Sequence, residues 1–328
     1  MTQTSTVPHQ WIADLLFKGL GELFQTASVI FFAPIFLGWV NLCRSCLQSR
    51  RPAGILQPYR DLLKLLRKEV VLATGASPLF RITPYIVFGS MGLAAALVPA
   101  VTTDLPFGPA ADAIALVGIF SLARIFMALS AMDIGTPFGD MGARREMMIA
   151  FLAEPATMMV LFTASLISRS TSLSTIAETL GGRHFTLYPS LVFATTSFFL
   201  IILAENSRLP IDNPSTHLEL TMIHEAMLLE YSGRHLALME WGSSIKLLLY
   251  FSILISFFLP WGISHESSFG GLLSGFAFLV LKLFILGTLL AILESTLAKL
   301  RLFRAPEFLA AAYLLAVIAF LSHFILEV

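Results

Sequence analysis

The sequence predicts an all-α fold, a polytopic membrane helix bundle of about eight transmembrane helices with cytoplasmic amphipathic helices, forming one integral membrane unit over residues 1–328. Hydrophobic residues make up 56% of the chain and charged residues only 13%, where soluble domains carry roughly 25% charged residues. Mean hydropathy is +0.81. Apolar runs near the length that crosses about 30 Å of hydrocarbon at about 1.5 Å per residue recur near 23–43, 82–102, 110–132, 147–168, 186–204, 244–264, 271–293 and 308–326. Lys+Arg and Asp+Glu both total 21, so no net charge calls for nucleic acid, and the information lies in where the charges sit.

The opening "MTQTSTVPHQWIADLLFKG" has neither a basic n-region nor a small-residue cleavage site, so the first apolar run is expected to stay as a membrane helix. Basic residues orient the bundle. The connection 44–81 carries Arg44, Arg50, Arg51, Arg60, Lys64, Arg67, Lys68 and Arg81, while the turn near 103–109 has none, which puts 44–81 in the cytoplasm. Alternate connections follow, with Arg144 and Arg145, Arg208 and Arg234, and Lys299, Arg301 and Arg304 on the same side. Both termini are therefore expected on the outer side. Cys43 and Cys46 in "CRSC" read as ordinary thiols near a helix end, since structural zinc wants four ligands and no second pair exists.

Within the basic loop, "LQPYRDLLKLLRKE" sets Leu62, Leu63, Leu65 and Leu66 at helical spacing against Arg60, Lys64, Arg67 and Lys68. This is an amphipathic helix at the interface, where basic stems snorkel. It serves lipid headgroup contact or partner docking. The proline, glycine and glutamine of "SRRPAGILQPYRD" make poor lipid anchors and favour docking.

Ionisable groups inside the spans are Arg124, Glu154, Lys282 and Glu294. A charge at the bilayer centre costs at least about 2.5–3.5 kcal/mol on insertion scales, so each is a functional hypothesis, with a structural ion pair as the plain alternative. Arg124 stays protonated and acts as a charge partner; Glu154 and Lys282 can exchange protons when desolvation moves them toward neutrality. Pro155 leaves the carbonyl of Phe151 without its helical donor, a break that admits water beside Glu154. Arg144 and Arg145 stand at the polar entry to the same helix.

The stretch "AENSRLPIDNPSTHLELTMIHEAMLLEYSG" gathers Glu205, Asp212, Glu219, Glu225 and Glu230. Pro210 and Pro214 break the chain, and Thr216 with Glu219 fits a capping box that starts a helix running to near Gly233. The unit 205–243 is thus a cytoplasmic acidic loop with an amphipathic helix. Glu219 and Glu230 share a face and Glu225 points about 120° away. An ordinary solvated face is the plain alternative for such a charge run; the helix is too apolar for water, so its acids are expected to tuck against the bundle and repel one another, with Arg208 alone to neutralise them. Carboxylates so confined form a chain that hands protons toward Glu154. His217 and His224 are too far apart for one metal ion.

"SRRPAGILQPYRDLLKLLRKE", "GARREMMIAFLAEP" and the acidic stretch together resemble the complex I subunit 1 family, the heel subunit of respiratory complex I. Within it, the chain is similar to the branch in formate hydrogenlyase and membrane-bound group 4 nickel-iron hydrogenases. The resemblance implies that the loop matching Arg50, Arg51, Gln57, Arg60, Asp61 and Lys64 docks soluble hydrogenase-like large and small subunits. It implies a proton path through Glu154, Glu205, Asp212, Glu219 and Glu230, to which the residue reading adds Glu225 and Lys282, with Arg124, Arg144, Arg145 and Arg208 as charge partners. It further implies antiporter-like membrane neighbours, a place in the cell's inner membrane, and NiFe and Fe-S centres held by partner subunits, with no cofactor on this chain. "DNPSTHLELTMIHEAMLLEYSG" is longer and less acidic at its start than complex I versions, which favours the hydrogenase branch. The competing expectation is a quinone-chamber subunit of a complex I type NADH:quinone oxidoreductase. A free-standing transporter lacks the paired broken helices of inverted repeats.

Overall fold

The computed structural model describes residues 7–73, 75–103, 111–182, 188–208, 222–263, 269–297 and 304–327. Among them the helices are α1 (Val7–Leu47), α2 (Gln57–Leu66), α3 (Pro78–Leu97), α4 (Ala113–Asp133), α5 (Pro137–Ser168), α6 (Leu173–Gly182), α7 (Pro189–Glu205), α8 (His224–Leu228), α9 (Gly233–Phe258), α10 (Phe269–Thr296) and α11 (Ala305–Ser322). Seven are long and apolar enough to cross a membrane. The eighth expected span is α7, whose 17 residues reach about 25 Å at 1.5 Å per residue, the short end of a crossing.

Local chemistry sets the helix ends. Ser77 and Asp112 cap α3 and α4 by accepting the N–H groups of Leu79 and Ile114. α7 ends in a left-handed turn at Ser207, φ 51°, with the Arg208 N–H donating to the Leu203 carbonyl at 2.9 Å. Pro155 lies inside α5, and exposed Phe151 stands one turn before it.

Helix α9 is the centre of the bundle: 78% of its apolar window is buried, against 28–50% for the other spans. Its Tyr250 stacks on Phe120 of α4 at 5.0 Å and Phe198 of α7 at 6.0 Å, and Phe251 meets Phe36 of α1 edge-on at 5.4 Å. Helix α2 lies against α1 and α9. Leu62 is its buried side chain, and the Tyr59 hydroxyl donates to the Phe31 carbonyl. Leu56, Leu63 and Leu66 remain exposed.

Three expectations are corrected. Helix α9 starts at Gly233 rather than 244, so residues 233–243 form its first turns instead of closing the acidic loop. Helix α5 starts at Pro137, ten residues before the expected 147. The acidic helix does not run on toward Gly233. Among described residues 222–232, Met222 and Ile223 are non-helical and His224–Leu228 is helical, and this segment packs on α5. A Cβ on Gly142 would sit 2.9 Å from the Ile223 carbonyl and from Ala226, and Arg145 takes the Met222 carbonyl at 2.8 Å. The capping pair Thr216 and Glu219, together with Asp212, lies outside the described residues.

Candidate functional site

Four helices bring ionisable side chains to one buried point. Arg124 of α4 is 3% exposed and addresses three carboxylates. Its Nη1 donates to Glu154 Oε1 at 2.6 Å, its Nε lies 3.5 Å from Glu146 Oε1, and its Nη2 pairs with Glu205 Oε2. Lys246 of α9 completes the group, with Nζ 2.9 Å from Glu205 Oε2, 2.7 Å from the Glu205 carbonyl oxygen and 5.9 Å from the Tyr250 ring centroid. Two cations thus face three carboxylates. When all are ionised, the group carries a formal excess of one negative charge.

The cluster lies between two clefts. One, of about 650 Å³, is the more polar of the two and is lined by Glu205, Arg208, His224, Glu225, Glu240 and Lys246 among others. The other, of about 680 Å³, opens on the bundle's flank beside Arg124, Phe151, Glu154 and Pro155. A narrow void of about 30 Å³ touches Arg124, His224 and Lys246 between them. Glu154 is the cluster's outward member, its side chain 33% exposed, while that of Glu205 is 1% exposed.

Sequence-derived site residues divide accordingly. Glu154, Glu205 and Arg124 meet. Glu225 lines the polar cleft, whereas Glu230 is exposed and is not among the residues lining it. Among the described residues Arg208 pairs not with an acid of the stretch but with Glu294 at 3.2 Å, and Arg44 takes the other oxygen of that carboxylate at 3.5 Å. The expected crowd of repelling acids is, in the described residues, an alternation of opposite charges. Arg144 pairs with Asp140 on the surface at 2.9 Å, away from the cluster.

Lys282 donates from Nζ to the carbonyls of Leu259 and Trp261 and lies 5.6 Å from the Trp261 ring. No ion pair joins it to a carboxylate among the described residues. Its partners are the carbonyl of Leu259, the residue that caps α9, and that of Trp261 just beyond it, near the negative end of the helix dipole, which favours a cation. In the basic loop Arg50, Arg51, Arg60, Asp61 and Lys64 are exposed, and Gln57 donates to Asp61 at 3.0 Å. Among the described residues no group of three or more His, Cys, Asp or Glu side chains is placed to hold a metal ion.

Sequence reading missed Glu146 and Lys246. Glu146 stood one residue outside the expected span, yet it lies eight residues before Glu154, a little over two helical turns and about 80° round the helix, near enough for one arginine to reach both. Lys246 interrupts "GSSIKLLLYFSIL" just as the intramembrane lysine of α10 interrupts its own run.

The sequence profile of the NADH dehydrogenase family matches residues 22–325. Formate hydrogenlyase subunit 4 of Escherichia coli is 35% identical over 305 residues, covering 92% of this chain and 98% of that protein. Hydrogenase-4 component C of the same organism is 34% identical, covering 84% and 87%. A subunit of the NADH-quinone oxidoreductase of Neorickettsia sennetsu is 27% identical, covering 76% of each. A chain of the membrane-bound sulfane sulfur reductase, an archaeal respiratory membrane complex, shares the fold with a TM-score of 0.78 at 16% identity, over 92% of this chain and 98% of that one. With its apolar helices and relatives of this kind, the chain is a multi-pass membrane protein and a member of the NADH dehydrogenase family, of the complex I subunit 1 type.

Proposed function

We propose that this chain is the membrane-anchoring, proton-conducting coupling subunit that links a soluble hydrogenase-like redox module to antiporter-like membrane subunits. The observation that carries the reading is the buried cluster Glu146–Arg124–Glu154–Glu205–Lys246 between a polar and a flank cleft. A group with one surplus carboxylate takes up a proton and releases it when its partners shift. Protons enter along the acidic segment, with Asp212, Glu219 and Glu225 ahead of Glu205, and leave past Glu154 toward a neighbouring membrane subunit. The two hydrogenase-linked relatives, at 35% and 34% identity, support a hydrogenase-like partner whose large and small subunits hold the NiFe and Fe-S centres. The cell's inner membrane holds the chain, with 44–81 cytoplasmic and both termini outside.

The second reading, a quinone-chamber subunit of a complex I type enzyme, is supported by the NADH-quinone oxidoreductase relative at 27% identity. Copurification separates the two. A tagged chain, extracted mildly from native membranes, is expected to bring down a nickel-containing large subunit; quinone-linked dehydrogenase subunits in its place would transfer the assignment to the second reading.

The exposed basic loop is the docking face. Reversing Arg50, Arg51, Arg60 and Lys64 to glutamate is expected to release the soluble module from washed membranes while the chain stays inserted. Retention of that module at the wild-type level would show that the loop does not hold it.

A further inference from the structure

Two fastenings join the basic loop to the acidic segment, one near each end of the two stretches. At the trailing ends, the Ser232 hydroxyl donates to the Val71 carbonyl at 2.8 Å and accepts the Val71 N–H at 2.9 Å. Gly233, with φ 53°, comes so near that a Cβ would stand 2.5 Å from the Glu69 carbonyl oxygen. Tyr231 stacks on Phe80 with ring centroids 4.0 Å apart.

The leading fastening runs through one carboxylate. Glu294 of α10, with its side chain 1% exposed, holds Arg44 on Oε2 and Arg208 on Oε1. Arg44 is in the last turn of α1, where the basic loop begins. Arg208 is three residues past Glu205, and the link between them is the left-handed turn at Ser207. A serine in that conformation persists only where its surroundings over-determine it, and Arg208 held by Glu294 is such a surrounding.

We propose that Glu294 is a positioning residue: as shared anchor for Arg44 and Arg208, it fastens the start of the basic loop to the end of α7 and so keeps Glu205 within reach of Arg124 and Lys246. A partner seated on the loop then loads the same carboxylate that fixes the acidic segment. The link to coupling rests on the proton-conducting reading above, while the fastening does not depend on it.

The test uses the complex in native membrane vesicles, with Cys43 and Cys46 changed to serine and Ser243→Cys as reporter. Ser243 is an exposed residue on the polar cleft wall, and labelling by a water-soluble maleimide reports how open that cleft is. Glu294→Gln is expected to raise the labelling rate several-fold with the complex assembled, and Glu294→Asp to return it toward the starting value. Glu294→Gln combined with Arg208→Gln should add little to either single change, as residues in direct contact do. If Glu294→Gln fails to accumulate, Arg208→Gln alone gives the same readout. Labelling unmoved by both changes, or effects that simply add, would overturn the anchor. Raised labelling with wild-type gradient formation per electron would uphold the anchor and count against the coupling reading instead.

Discussion

Arg124→Leu should all but abolish accumulation of the folded chain in the membrane. Arg124 is the common partner of Glu146, Glu154 and Glu205, and among the described residues only Glu205 keeps a second cation, Lys246, once it is gone. Removing one member of a buried ion group while leaving its partners costs about 3–5 kcal/mol, or roughly two to nearly four powers of ten in the folded fraction at 1.4 kcal/mol per tenfold change. Adding Glu146→Gln and Glu154→Gln removes the two stranded charges and should restore much of the loss. Yield and thermal unfolding of the detergent-solubilised protein measure both effects. A stable Arg124→Leu protein that gains nothing from the added glutamines would mean that the ion group does not hold the four helices together.

Gly38→Val should detach helix α2 from the bundle. A Cβ at position 38 would stand 2.0 Å from the Ile55 carbonyl oxygen and 3.3 Å from Pro58, so the chain entering α2 must move, and the Tyr59 bond to the Phe31 carbonyl is lost with it. Overpacking costs typically about 1–3 kcal/mol, which raises the detached population by about 5- to 150-fold. Limited trypsin digestion reads this directly, because Arg60, Lys64, Arg67 and Lys68 are sites within and beside the helix. Cleavage in 44–81 should accelerate by a comparable factor while the rest of the chain stays resistant. Unchanged cleavage would mean that α1 and the loop separate without cost.

Much of the fold is legible in the sequence because the bilayer imposes it: each expected span overlaps one long helix, although those near 82–102, 110–132, 186–204 and 244–264 run a few residues past one of its ends. What stays hidden is how far helices extend beyond the hydrocarbon. The first turns of α5 and α9, from Pro137 and Gly233, are polar enough to read as loop. They are helical because they pack on α8 and α2, contacts with no local signature. The same gap conceals Glu146, which looks like a turn residue until α5 is seen to pass through it.

Arg124 and Glu154 could be singled out as charges within apolar runs, but their pairing is set by helix packing across 30 residues, and that of Arg124 with Glu205 across 81. Arg208 illustrates the limit from the other side. The acids nearest it in sequence are Glu205 and Asp212, yet the end of α7 turns it toward Glu294, 86 residues away. Lys282 is legible as a buried cation, and its partners prove to be carbonyls of the chain just past another helix.

If the cluster around Arg124 carries protons between the two clefts, removing the carboxylate of Glu154 or of Glu205 must interrupt that transfer. The measurement is gradient formation per electron in sealed vesicles containing the assembled complex, with Glu154→Gln and Glu205→Gln compared separately with the unaltered protein. Each substitution keeps shape and removes the proton carrier, so gradient formation per electron should fall by about tenfold or more while the soluble module stays bound and turns over with an artificial electron carrier. Assembled complexes carrying either substitution that form the wild-type gradient per electron would contradict the claim and leave the cluster a purely structural ion group.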